Sequence, residues 1–370
     1  MKKAATKQAT ESPRELGYKM PAEWERHDAT WIAWPHNATD WPGKFHAIPW
    51  VYADIVRRLS RVETVHILVE DEVAERRAIG ILARAGANPR QLRFHRWPTD
   101  RVWTRDSGPI FVRASGGTEE HATVAVTNWK FNAWAKYDNW QKDDLVAGHA
   151  AQFLKLKEWK PTIRAEGGTD HRLVLEGGSI DVNGAGVLIT TEECLLGTVQ
   201  QRNPGVAREQ LEKAFHDYLG IDQVLWLNRG CAGDDTHGHV DDITRFVAEN
   251  TIVTATETNT ADDNHIPLAE NLDRLKSAKN LRGKPYKIVE LPMPAPVVFD
   301  GQRLPASYAN FYIANGIVLV PTFNDPNDRR ALGILAELLP GHVVSGIHCG
   351  DFIWGLGALH CMTQQQPAAE

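Results

Sequence analysis

The residues of this chain with most chemical potential are one thiol, one imidazole and a scatter of carboxylates. Cys361 lies in Gly-Leu-Gly-Ala-Leu-His-Cys-Met-Thr-Gln-Gln-Gln-Pro, residues 355–367. Glycines there let the backbone come close to a ligand, and a thiolate is a strong nucleophile where neighbouring cations favour it. The plain alternative is a buried structural thiol, the usual state of a free cysteine. His239 lies in Gly-Asp-Asp-Thr-His-Gly-His-Val-Asp-Asp, residues 233–242. As the start of a strand, this segment puts His239 and Asp241 on one side, where they can bind a cation and pass protons. The alternative is a turn leading into an edge strand. Asp106, in Trp-Thr-Arg-Asp-Ser-Gly-Pro (103–109), and Glu176, in Leu-Glu-Gly-Gly (175–178), each stand at the lip of an expected hairpin. Taken singly, each reads as a turn carboxylate.

Whether these groups can act together depends on the elements that carry them. A polar turn, two β-rich runs, a helical pattern and a short β run recur in that order. Residues 177–182 pass through Asn183-Gly184 into 186–190, and Asn-Gly between such runs is a strong hairpin signal. A helix over 206–218, stopped by Gly220, and a strand over 223–227 complete the unit. Two later units read 239–247, 251–255, helix 268–278 and strand 287–291, then 310–314, 317–321, helix 328–339 and strand 342–347. An earlier one reads 109–112, 122–126, helix 144–156 and strand 173–175. The turns at Asp106, Gly178, Asp241 and Asn310 recur at roughly 65–70 residues, a repeat spacing. A fifth unit is split between the termini: 359–364 would pair with 30–34, followed by helix 51–59 and strand 65–69. Closing a ring of five units removes exposed sheet edges, and it would bring Asp106, Glu176, Asp241, Asn310 and Cys361 to one end. A doubly wound sheet would also alternate strands and helices, but parallel sheets rarely contain so many hairpins. The expected architecture is therefore α/β, a five-bladed propeller of ββαβ units with pseudo-fivefold symmetry. Carboxylates converging on a thiol suit a planar guanidinium with its five N–H donors.

Composition narrows the function. With 370 residues and a net charge of −6, the chain lacks the basic footprint of a nucleic-acid binder. No apolar run approaches the roughly 20 residues that span a bilayer. Residues 1–12 are polar, unlike a signal peptide, and residues 1–19 are expected to be a flexible segment before one catalytic domain, 20–370. A cytoplasmic location follows as an expectation. Four scattered cysteines make neither a disulfide scaffold nor a CxxC zinc pair. The 13 tryptophans serve the core or wall a cationic ligand.

The motifs WTRDSGP (103–109), NWKFNAW (128–134), LEGGSIDVNG (175–184), TTEECLL (190–196), GHVDD (238–242), LPASYANFYIANG (304–316), VPTFNDPND (320–328) and WGLGALHCMTQQQP (354–367) resemble the agmatine deiminase family. That family is related to the bacterial-type peptidylarginine deiminases of the guanidine-modifying superfamily, and the likeness runs from about Met20 onward. The resemblance implies a five-bladed α/β propeller without metal or cofactor that hydrolyses agmatine, a small cationic guanidine, to N-carbamoylputrescine and ammonia. It implies Cys361 as nucleophile, His239 as general acid/base, and Asp106 and Asp241 as guanidinium-binding carboxylates. Glu176, Trp103 and Asn310 match further substrate-site residues, and a homo-oligomer is compatible with the pattern. Two stretches depart from it. Asp-Asp-Thr-His precedes Gly238 where relatives are more acidic, making His237 an extra imidazole. The approach to Cys361 reads Gly-Leu-Gly-Ala-Leu-His where relatives carry Gly-Gly-Gly-Asn-Ile-His.

Three rival readings remain from the sequence. A metallohydrolase could use His237, His239 and Asp241, which approach an HxHxDH zinc motif but end in Asp242. A non-catalytic propeller-like binding module would show no selective thiol reactivity. A peptidyl-arginine deiminase would share the site and differ in the substrate's tail.

Overall fold

The computed structural model describes residues 11–115, 123–164 and 170–369. It is a mixed α/β fold in which five sheets share one plan: an antiparallel pair, a helix, then a strand parallel to the pair's second member. In one, Asp181–Val182 pairs with Val187–Thr191, helix Arg208–Leu219 follows, and Gln223–Leu227 lies parallel to Val187–Thr191. The next joins Thr244–Ala248, Thr251–Thr256, helix His265–Ser277 and Lys287–Pro292. Another joins Tyr312–Ala314, Ile317–Thr322, helix Asn327–Leu338 and Val343–His348. Earlier in the chain, Ile110–Ala114, Val124–Thr127, helix Val146–Leu154 and Glu158–Trp159 do the same. The fifth sheet draws on both ends of the chain. Gln364–Pro367 runs antiparallel to His27–Ala33, with Thr64–Leu68 and Leu92–His95 parallel beyond it.

Helix Ile48–Leu59 shows why these helices form. Ile48, Tyr52, Ile55, Val56 and Leu59 recur at helical spacing and are wholly buried. Each such aliphatic side chain contributes about 1.5–3 kcal/mol on leaving water. Helix Arg208–Leu219 stops where Gly220 turns left-handed, φ 71°, as the sequence suggests. Each helix also reaches a neighbouring sheet. Arg208–Leu219 packs on Tyr18–Lys19, His265–Ser277 on Gln223–Leu227, Asn327–Leu338 on Lys287–Pro292, and Ile48–Leu59 on Val343–His348. Phe153, from helix Val146–Leu154, meets His95 edge-on at 4.6 Å. Among the described residues, no helix is long and apolar enough to cross a membrane.

Several expectations are corrected. Residues 173–175 are not the last strand of their unit. The helix ends at Lys155, φ 57°, and the chain reverses at once, so Glu158–Trp159 takes that place. Leu173–Leu175 is instead a buried connector joined to Lys130 and Pro161 through the backbone. His239 and Asp241 do not share a strand. Asp234 accepts the Gly238 and His239 N–H groups at 2.7 and 3.0 Å, Gly238 adopts φ 99°, and Val240–Asp242 forms a 3-10 turn. The strand starts only at Thr244. The pairing of the termini begins at Gln364, opposite Trp31, and helix Glu72–Ala85 with strand Leu92–His95 extends that unit beyond the expected elements. Of the segment expected to be flexible, residues 1–10 lie outside the described residues. Arg14–Leu16 forms a turn, and Tyr18–Lys19 pairs with Arg113 and Ala114, which ties that stretch to a sheet.

Candidate active site

Each of the five sheets that share the common plan is entered through a polar turn, and the turns meet. The short helix Thr104–Ser107 and the turn Val240–Asp242 both touch the turn Gly177–Ser179. Gly178 makes this possible. Its N–H donates to Asp106 Oδ1 at 3.1 Å, and a Cβ there would lie 2.6 Å from His239 Nδ1. His239 Nδ1 faces Asp106 Oδ1 at 3.8 Å and Asp241 Oδ1 at 3.9 Å, while Nε2 faces Glu176 Oε2 at 3.7 Å. Asn310 joins the remaining turns: its Nδ2 donates to Cys361 Sγ at 3.0 Å and to Asp242 Oδ1 at 2.9 Å. The Cys361 thiol lies 3.7 Å from Asp241 Oδ2. Asp106, Glu176, His239, Asp241, Asn310 and Cys361 are thus brought together, all buried.

Cys361, Asp106 and Trp103 line a cavity of about 480 Å³ with Trp134, Tyr137, Asp40, Arg101 and Asp235. Trp134 Nε1 donates to Asp106 Oδ2 at 2.9 Å. Trp41 and Trp103 stand beneath the strap 355–357, where a Cβ on Gly355 or Gly357 would meet an indole ring at 2.5 or 2.8 Å. The tryptophans therefore divide: Trp31 and Trp41 are wholly buried, whereas Trp103 and Trp134 wall the cavity.

Burial and charge set the ionisation of these groups. Burial, then the charges of Asp241, Asp242 and Asp106, push the Cys361 thiol well above its usual range. Burial opposes a charged His239, but Asp106, Cys194 and Glu176 outweigh it and hold the imidazole well above its ordinary value. Burial raises Asp106 to about 6, with Asp241 and Glu176 adding and His239 opposing. In Glu176 burial is overcome by Arg202 and His239, which lower it to about 2. Asp241 is likewise lowered against its burial, chiefly by the hydrogen bond from His360, while Asp242 is driven well up by burial and by Asp241. At neutral pH the arrangement is a thiol and an imidazolium that both face the Asp241 carboxylate, with Asp106 beside the imidazolium. It can hold a planar cation, attack it with sulfur and exchange protons with it.

Sequence reasoning passed over the groups that hold this set in place. His360 bridges Asp241 Oδ2 and Glu23 Oε2, each at 2.7 Å. Glu23 in turn meets Arg245 at 2.9 Å and Arg105 at 3.3 Å. Arg202 Nε donates to Glu176 Oε1 at 3.1 Å. His360 stands beside Cys361 in the sequence, which was a usable signal; Glu23 and Arg202 lie far from any motif and had none. The ligand set of the rival metallohydrolase reading does not assemble. Among the described residues, His237 joins no group of three donors close enough for one ion. It is half-buried in a left-handed loop, φ 62°.

A cysteine and a histidine among converging carboxylates, on an α/β scaffold, define a guanidine-modifying type of site. The model of the Porphyromonas-type peptidyl-arginine deiminases matches residues 19–367, and the chain belongs to that family. The agmatine deiminase of Stutzerimonas stutzeri is 35% identical over 382 residues, which cover 97% of this chain and 98% of that one. That of Pseudomonas aeruginosa is 33% identical over the same shares. Among solved structures, the agmatine deiminase of Enterococcus faecalis superposes with a TM-score of 0.86 at 28% identity, covering 98% of this chain and 99% of the other. The C. jejuni agmatine deiminase with substrate bound gives 0.82 at 27% identity, covering 95% and 97%.

Proposed function

We propose that the chain is an agmatine deiminase, hydrolysing agmatine to N-carbamoylputrescine and ammonia. The observation that carries this reading is the Cys361 thiol in one cavity with Asp106 and Trp103, 3.7 Å from Asp241, while His239 faces the same two carboxylates, Asp106 and Asp241. In this reading Asp106 and Asp241 hold the guanidinium by charge-assisted hydrogen bonds, with Trp103 and Trp134 against its flat sides. Cys361 loses its thiol proton to solvent as its sulfur attacks the guanidinium carbon, and His239 protonates the departing amino group, which leaves as ammonia and gives an amidino-cysteine. His239 then takes a proton from water, which attacks the same carbon. The C–S bond breaks, the sulfur takes the remaining hydroxyl proton to restore the thiol, and the ureido product leaves. Glu176 keeps His239 charged, and Asn310 aims the sulfur. The aliphatic tail runs towards Asp40, whose Oδ2 has no hydrogen-bond partner among the described residues. That carboxylate suits the free amine of agmatine.

The same reading makes residues from 20 onward one catalytic domain and the five sheets the blades of an α/β propeller. What supports the ring is the order of packing, since each helix leans on a neighbouring unit and the first leans on the last. Four free cysteines fit a reducing cytoplasm. Cys361→Ala tests the assignment. Ammonia release from agmatine should vanish while calorimetry still detects agmatine binding; normal turnover in that variant refutes it. Comparing agmatine with free arginine and an arginyl peptide on the unaltered enzyme checks the substrate.

A further inference from the structure

We propose that Glu176, Cys194 and His239 form a second, inhibitory site for a thiophilic divalent cation of the zinc class. The site lies behind His239, on the side away from Asp106 and Asp241. There Nε2 faces Glu176 Oε2 at 3.7 Å, and both side chains are wholly buried. Neither of these atoms has a hydrogen-bond partner among the described residues. The gap is too long for a hydrogen bond. A cation about 2 Å from nitrogen and from oxygen closes such a gap.

The third donor is already in place. One ligand atom from each of Glu176, Cys194 and His239 lies within 4.8 Å of the other two. Cys194 is fixed by Thr191, whose hydroxyl accepts the Cys194 N–H at 3.1 Å as the cap of helix Glu192–Leu196. Glu176 is fixed by Arg202 on Oε1, which leaves Oε2 to face the imidazole. Sulfur, imidazole nitrogen and carboxylate oxygen are the donors zinc selects, and oriented ligands of this kind are what a metal site requires. The other cluster of this type, Asp241, Asp242 and Cys361, is weaker, because hydrogen bonds from His360 and Asn310 already occupy it. Binding would release the Cys194 and Nε2 protons and lock the ring that must shuttle protons. The inhibition, though not the binding, rests on the role of His239 proposed above.

Cadmium is the probe for binding and zinc for inhibition. Cd2+ titrated into Cys361→Ala should produce the ultraviolet absorption of a cadmium–thiolate bond. The signal should vanish when Cys194→Ser or Cys194→Ala is added, with circular dichroism confirming that each variant is folded. A signal that survives the loss of Cys194, or none in Cys361→Ala, overturns the site. In the unaltered enzyme, micromolar Zn2+ should suppress agmatine turnover and EDTA should restore it. Cys194→Ser should need about tenfold more Zn2+ for the same loss; equal sensitivity overturns the proposal. A cadmium signal as expected with turnover indifferent to Zn2+ overturns the inhibition and, with it, the role of His239, while the cation site stands.

Discussion

A single methyl group at residue 178 should disable the site without unfolding the protein. A Cβ built on Gly178 lies 2.6 Å from His239 Nδ1, 2.8 Å from Asp106 Oδ1 and 3.0 Å from Asp241 Oδ2. Carbon contacts settle at about 3.5 Å or more, so each group must retreat by about 0.5–1 Å. None can do so freely. Asp106 is held by Trp134 and by the Gly178 N–H, Asp241 is held by His360, and the His239 side chain is wholly buried. The backbone is no obstacle, since Gly178 is not among the residues with positive φ. Misplacing reacting groups by about 1 Å can cost about 100-fold in rate, equivalent to about 2.7 kcal/mol of barrier. Gly178→Ala should therefore lower kcat/KM for agmatine about 100-fold. Overpacking should cost stability only about 1–3 kcal/mol. Steady-state ammonia release and a thermal melt measure both. Activity within about threefold of the unaltered enzyme would mean that these three groups do not bracket the reacting carbon.

Two further changes probe the surroundings. His360→Gln removes the ring that holds Asp241 low, so the Asp241 carboxyl should rise and the acid limb of kcat/KM should move to higher pH. A drop of about tenfold at pH 6 is expected, and an unmoved acid limb would show that His360 does not set Asp241. Asp143 accepts the Asp100 and Arg101 N–H groups at 2.7 and 3.3 Å, yet burial raises its carboxyl to about 7. The folded value lies above the unfolded one of about 3.9, so this group costs stability as pH climbs from about 4 to 7. Asp143→Asn keeps the acceptor and should raise stability at pH 8 by up to about 2 kcal/mol, with the gain gone at pH 4. A lower Tm at pH 8 would contradict this sign.

The sequence made the units legible because their signals are local. Asn183-Gly184, the apolar stripe of residues 331–338 and the stop at Gly220 each act over a few neighbours, and helices 208–219 and 327–338 formed nearly where the patterns place them. The convergence of Asp106, Glu176, Asp241, Asn310 and Cys361 was also readable, because all five occupy equivalent turns of a repeat. What failed was the step from pattern to conformation where polar contacts override it. His239–Asp241 looks like a strand by alternation, but Asp234 captures two backbone N–H groups and coils the segment. Leu173–Leu175 looks like a strand by apolarity, but the left-handed turn at Lys155 had already supplied one. The supporting shell was least visible. Glu23 lies 337 positions from His360, with which it shares a 2.7 Å hydrogen bond, and no local pattern encodes such a partner.

The charge around Cys361 raises a question that the substrate itself answers. A nucleophilic cysteine is usually made reactive by cations, yet this thiol is surrounded by Asp241, Asp242 and Asp106 and is pushed up, away from the thiolate. The imidazolium of His239 is spent on Asp106, Glu176 and Asp241. In the empty enzyme the sulfur should therefore be an unreactive thiol, protected from stray electrophiles. In the proposed reading, a guanidinium held between Asp106 and Asp241 would reverse the local charge, because its positive carbon would lie against the sulfur at the moment attack is required. Reactivity should then depend on the charge of the attacking reagent rather than on its intrinsic strength. At pH 7 a cationic haloamidine should alkylate Cys361 far faster than neutral iodoacetamide does. The iodoacetamide rate should keep rising with pH past the ordinary thiol value of about 8.5. Mass spectrometry of the labelled peptide reads both rates at this residue. An iodoacetamide profile that levels off below that value would show a thiolate already present in the free enzyme, and the ionisation would then have to come from His239 instead of the substrate.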